Sequence, residues 1–91
     1  MSHFAIMLGR IADEAEADFL TLFPEGVGEP EIVRCNLEPG ASSRGYQKGL
    51  MLRRPDGCWA MYGYRIKDRY WFRPFSWRRV SHGVPPNRSV I

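Results

Sequence analysis

Between Trp59 and Trp77 the chain places eight of its twelve aromatic side chains: Trp59, Tyr62, Tyr64, Tyr70, Trp71, Phe72, Phe75 and Trp77. Among them or just beyond stand Arg65, Lys67, Arg69, Arg73, Arg78 and Arg79. Flat rings on a sheet can stack unpaired bases while guanidinium groups follow the phosphates, so this mixture suits a polyanion. Arg65, Arg69, Trp71, Arg73, Trp77, Arg78 and Arg79 are therefore the candidate binding residues. On an extended strand, alternation would put Trp71, Arg73, Phe75, Trp77 and Arg79 on one face as a continuous stripe, unless Pro74 shifts the register. Aromatic residues also favour strands and fill cores, so some of these rings must be structural.

A second polar cluster lies in Gly40 to Gly49. Ser42, Ser43, Arg44 and Lys48 combine there with glycines, and they form a secondary candidate contact for phosphate. The segment fails as a Walker loop, because Tyr46 and Gln47 stand where lysine and serine or threonine are required. Cys35, Cys58, His3 and His82 could supply four zinc ligands, but no two of them have the close spacing of a structural zinc site. No serine, cysteine or histidine stands in a nucleophilic or acid–base arrangement, so the expectation is a non-enzymatic protein without cofactor or metal.

Charge divides the chain. Residues 1–38 carry eight carboxylates against Arg10 and Arg34, whereas residues 39–91 carry eleven basic groups against Asp56 and Asp68. Opposite fields on the two halves bear on partners rather than on fold. Of the thirteen basic residues only Lys48 and Lys67 are lysine. Arginine's planar fork meets phosphate and carboxylate in pairs and stacks on rings.

These side chains need a scaffold, and 91 residues suffice for one domain with a modest core. Phe4 to Leu8 is a short apolar run that reads as a buried strand. Ile11, Ala15, Phe19 and Phe23 recur every fourth residue and read as the apolar face of a helix over about 13–23. Asp13 followed by Glu16 resembles its N-terminal cap, and Pro24 ends it. The acids Asp13, Glu14, Glu16 and Asp18 then form a solvated face. Glu31 to Glu38 alternates as a half-buried strand. Pro55, Asp56 and Gly57 have the chemistry of a tight turn and predict a hairpin over about 47–66. A second turn at Lys67 and Asp68 would return the chain through 70–80, setting Tyr64 opposite Trp71 and Gly63 opposite Phe72.

The expected fold is α+β: a small single domain with an antiparallel sheet, strand–helix–strand followed by a three-stranded meander, and one helix on one face. Residues 1–80 would form the globular part and 81–91 an extended proline-containing tail. No apolar stretch reaches the ~20 residues of a membrane-spanning helix, and Phe4 to Leu8 lacks the basic leader of a signal peptide. The expected compartment is cytoplasmic, with two reduced cysteines. The expected partner is single-stranded nucleic acid or an acidic protein surface. Alternatives are a phage or mobile-element inhibitor of the anti-CRISPR type, which would block a nucleic-acid-handling complex, and a self-associating homo-oligomer.

Overall fold

The computed structural model describes residues 2–41, 43–67 and 74–85. One helix, α1 (His3–Leu22), precedes four strands: β1 (Glu31–Asn36), β2 (Lys48–Arg53), β3 (Trp59–Ile66) and β4 (Phe75–Gly83). The strands form a single antiparallel sheet in the order β1-β2-β3-β4. The expected α+β class, with one helix on one sheet face, is the fold observed. Among the described residues, no helix is long and apolar enough to cross a membrane.

Phe4 to Leu8 is helix, not strand. Ser2 caps α1, its hydroxyl accepting a hydrogen bond from the Ala5 N–H at 3.1 Å. The four-residue period reaches back to Met7, so Met7, Ile11, Ala15 and Phe19 form one buried line, with Phe23 just beyond it. Asp13 and Glu16 therefore lie in the middle of the helix and cap nothing.

The helix packs across β2, β3 and β4. Ile11, Ala15, Phe19 and Phe23 meet Leu50, Leu52, Cys58, Ala60, Tyr62 and Tyr64 in one core. Cys58 is buried, while Cys35 is half-buried on β1; neither forms a disulfide, and burial raises the Cys35 pKa.

The predicted hairpin forms around Pro55–Asp56–Gly57. The Gly57 N–H donates to the Arg54 carbonyl at 2.9 Å, and Gly57 takes φ +93°, a value open to glycine at no steric cost. Asp56 accepts from the Cys58 N–H at 3.1 Å and from Arg54 Nε at 2.9 Å.

The next connection is longer than expected. β3 runs to Ile66 and β4 starts at Phe75, with the Lys67 N–H donating to the Pro74 carbonyl at 2.7 Å. Tyr64 thus lies opposite Trp77, and Gly63 opposite Arg78. Pro74 precedes the strand, where its missing donor costs no ladder bond. β4 also continues through Ser81 and His82 to Gly83, taking in residues assigned above to the tail. A register shift between Met61 and Tyr62 leaves Val80 as the extra residue of a bulge.

Candidate functional site

The expected stripe divides. Phe75, Trp77 and Arg79 do share a face, but it is the face under the helix. Trp77 stacks edge-on against Tyr62 with ring centroids 5.6 Å apart, and its indole N–H donates to Glu14 at 2.9 Å. Arg79 is paired with Asp18 at 3.0 Å. The Arg10 guanidinium lies 5.1 Å from the Phe75 ring centroid. Arg69, Trp71 and Arg73, the remaining members of the binding set on this segment, lie outside the described residues, as does Ser42.

Of the acids expected on a solvated face, Glu14 is exposed yet accepts from Trp77, and Asp18 is half-buried against β4. Asp18 also accepts from the Tyr62 hydroxyl at 2.7 Å. Burial and then the Asp18 carboxylate raise the Tyr62 pKa, so the phenol remains a donor across the physiological range. Asp18→Ala strips both Tyr62 and Arg79 of their acceptor. Its expected cost is ~1–3 kcal/mol of unfolding free energy, measured by urea denaturation. An unchanged midpoint would remove the network from the stabilising interactions.

The other sheet face is partly roofed by the loop of residues 37–47. Tyr46 lies so close over Gly63 that any Cβ there would collide with it, and Leu37 covers Gly49 in the same way. Ser43 is buried and donates its hydroxyl to the Gly40 carbonyl at 2.9 Å, so its role is to close the loop. Arg44 is exposed at φ 52°. Arg78 is also exposed, on the face away from the helix.

Four of the described basic side chains, Arg34, Lys48, Arg65 and Lys67, converge at one end of the sheet. There the N-terminus of α1, the end of β1, the start of β2 and the end of β3 come together. A cleft of about 460 Å³ is lined by Phe4, Lys48, Tyr64, Arg65 and Lys67, with Gly45, Gln47 and Ile66. Arg34 lines an adjoining cleft that shares Lys48 and Tyr64. No described residue lining either cleft is acidic. The sheet register explains the convergence: Asn36, Lys48 and Tyr64 are consecutive cross-strand partners.

Two of the arginines lie over rings. The Arg34 guanidinium lies 5.6 Å from the Phe4 centroid, and that of Arg65 5.2 Å from the Tyr46 centroid. Arg65 also donates to the Gly45 carbonyl at 2.6 Å. These contacts restrict the two side chains, which lowers the ordering cost of gripping an anion.

No family model, curated protein or solved structure matches the chain.

Sequence reading placed Arg65 and Lys48 among the candidates, and both line the cleft. Arg34 and Phe4 precede the aromatic segment and were not expected there, and Lys67 stands among the rings without belonging to the candidate set. Among the described residues, no group of three or more His, Cys, Asp or Glu side chains could hold a metal ion.

Proposed function

We propose that the protein is a non-enzymatic binding module that holds single-stranded nucleic acid at the basic end of its sheet. The observation that carries this reading is the meeting of Arg34, Lys48, Arg65 and Lys67 around Tyr64 and Phe4 in clefts whose described lining includes no carboxylate. Phosphates would sit between the ring-backed guanidinium groups and the two lysines. Phe4, 43% exposed, offers a ring at the rim for an unpaired base. An acidic protein would satisfy the same charges, and polyglutamate stands in for it in the test.

Fluorescence anisotropy of a labelled oligothymidylate at two salt concentrations tests the proposal. Lys48 and Arg65 are both exposed, so Lys48→Ala with Arg65→Ala should leave the fold intact. Binding should weaken at least ~tenfold, and the salt slope should fall by roughly 0.7 for each lost phosphate contact. Arg79→Ala is the comparison: with Asp18 already neutralising it, its loss should change affinity less than the double substitution does. Normal binding by the double variant, or retention of polyglutamate with no affinity for the oligonucleotide at low salt, would overturn the nucleic-acid reading.

A further inference from the structure

β1 and β4 are the two edges of the sheet, and they are protected unequally. β4 is preceded by Pro74, carries the Val80 bulge, and displays Arg78 and Arg79, all of which discourage another strand from adding on. At the centre of β1 stand Ile32 and Val33, each 39% exposed, one on either face of the strand. The helix packs on β2, β3 and β4, which leaves β1 projecting beyond it.

The hydrogen-bond pattern fixes which backbone groups of β1 point outward. The Leu37 N–H donates to the Gln47 carbonyl at 2.9 Å, one position beyond the Asn36–Lys48 pair. Hydrogen-bonded pairs alternate along an antiparallel ladder. Glu31, Val33 and Cys35 therefore direct their backbone groups to β2, and Ile32, Arg34 and Asn36 direct theirs away from the sheet.

We infer that β1 pairs antiparallel with β1 of a second copy of this chain, about a twofold axis through Val33. Both helices would then lie on the same side of one continuous sheet. Side-chain alternation limits the possible registers. Centring on Glu31 or on Arg34 sets like charges face to face, which opposes pairing. Centring on Ile32 shortens the ladder, because Arg34 then faces Pro30, which has no donor, and Asn36 passes beyond the second copy's strand. Centring on Val33 lets Ile32 exchange both backbone bonds with Arg34 of the second copy, and the reverse. The Asn36 N–H is then aimed at the second copy's Pro30 carbonyl; Pro30 has no N–H to return, so this pair adds one bond rather than two, and the ladder is still longer than in the Ile32 register.

Charge supports the same occupant. Glu31 is bridged by Arg53 of its own copy at 3.1 Å and Arg54 by Asp56 at 2.8 Å, so Glu29 carries the acidic end beside the start of β1, and Arg34 with Lys48 the basic end at its finish. Antiparallel pairing lays the acidic end of one copy along the basic end of the other. This inference does not rest on the nucleic-acid reading.

Sedimentation equilibrium of the full chain over a concentration series tests it, with dimer expected. Ile32→Pro removes an outward N–H and no β1–β2 bond, so the dimer should be lost while the circular dichroism spectrum is kept. Val33→Lys, which sets like charges on the twofold axis, should also yield monomer and stands as a second variant should proline disturb β1. Val33→Cys with Cys35→Ser should cross-link on mild oxidation, since a non-hydrogen-bonded pair has a Cα separation that a disulfide spans. Wild-type protein that stays monomeric at every concentration would overturn the inference. So would a dimer that persists in folded Ile32→Pro and in Val33→Lys, or one in which Val33→Cys fails to cross-link. In the last two cases an edge other than β1, or another register, holds the copies together.

Discussion

Replacing Arg54 with methionine is expected to destabilise the protein by ~3–5 kcal/mol, the penalty for breaking a buried charge network by removing one partner. Only 4% of Arg54 is exposed. Its guanidinium donates to the Phe23 carbonyl at 2.9 Å, to the Glu25 carbonyl at 2.8 Å and to the Asp56 carboxylate at 2.8 to 2.9 Å. One side chain thus ties the end of α1 and the following loop to the β2–β3 turn. Methionine retains the apolar stem and supplies none of these donors. For a domain of this size the melting temperature should fall by more than ~10 °C. Arg54→Lys, with one compact ammonium in place of a fork, should recover only part of the loss.

The same network has a pH signature. The Arg54 hydrogen bond, outweighing the opposing effect of burial, holds the Asp56 carboxyl at about 2, below its ordinary 3.8. A lowered folded-state pKa means that the stabilisation is complete above the unfolded value and lost as pH falls from about 3.8 toward 2. In Arg54→Met that acid-induced loss should be smaller, because the carboxyl no longer has its principal partner. A variant that loses stability over this window as steeply as wild type would show that Arg54 does not govern Asp56.

Phe19→Ala should cost a similar ~3–5 kcal/mol. Phe19 is fully buried, meets Phe23 edge-on with ring centroids 5.1 Å apart, and has the Arg54 guanidinium 5.4 Å from its ring centroid. The void would open where the helix, the sheet and the Arg54 network meet. Because the two residues touch, the double variant should depart from additivity by ~0.5–3 kcal/mol. Chemical denaturation of the two single variants and the double variant measures both effects. A Phe19→Ala melting point within a degree or two of wild type would place another face of the helix inward.

The helix face was legible because Ile11, Ala15, Phe19 and Phe23 repeat at helical spacing over three turns. Its beginning was not. Phe4 to Leu8 is too short for periodicity to separate strand from helix, and the cap that decides between them is the single hydroxyl of Ser2. The hairpin at Pro55–Gly57 was legible because each residue's backbone preference matches its place in the turn. The β3–β4 connection misled: Lys67 and Asp68 resemble a turn, and the aromatic residues after them resemble a strand. The register instead sets Tyr64 opposite Trp77, whose ring meets that of Tyr62, a pairing that local sequence does not encode.

The basic cleft was the least legible feature. Arg34, Lys48, Arg65 and Lys67 are spread over three strands and a loop, and only the register of the sheet gathers them. The acids that sequence reading assigned to solvent show the same dependence, since Glu14 and Asp18 find Trp77 and Arg79 only once β4 is docked.

The order of the elements also bears on how the chain folds. Every strand pairs with its neighbour in sequence, so the sheet can close one hairpin at a time, through local contacts that favour rapid folding. The helix is made first yet docks on the strands made later. During synthesis, Ile11, Ala15 and Phe19 would have only Leu50 and Leu52 to meet until Tyr62 and Tyr64 had emerged, and Glu14 and Asp18 would lack Trp77 and Arg79 until β4 followed. A nascent chain halted after β2 would therefore display an amphipathic helix with its apolar side largely bare, making that interval the period of greatest exposure to chaperones and to aggregation.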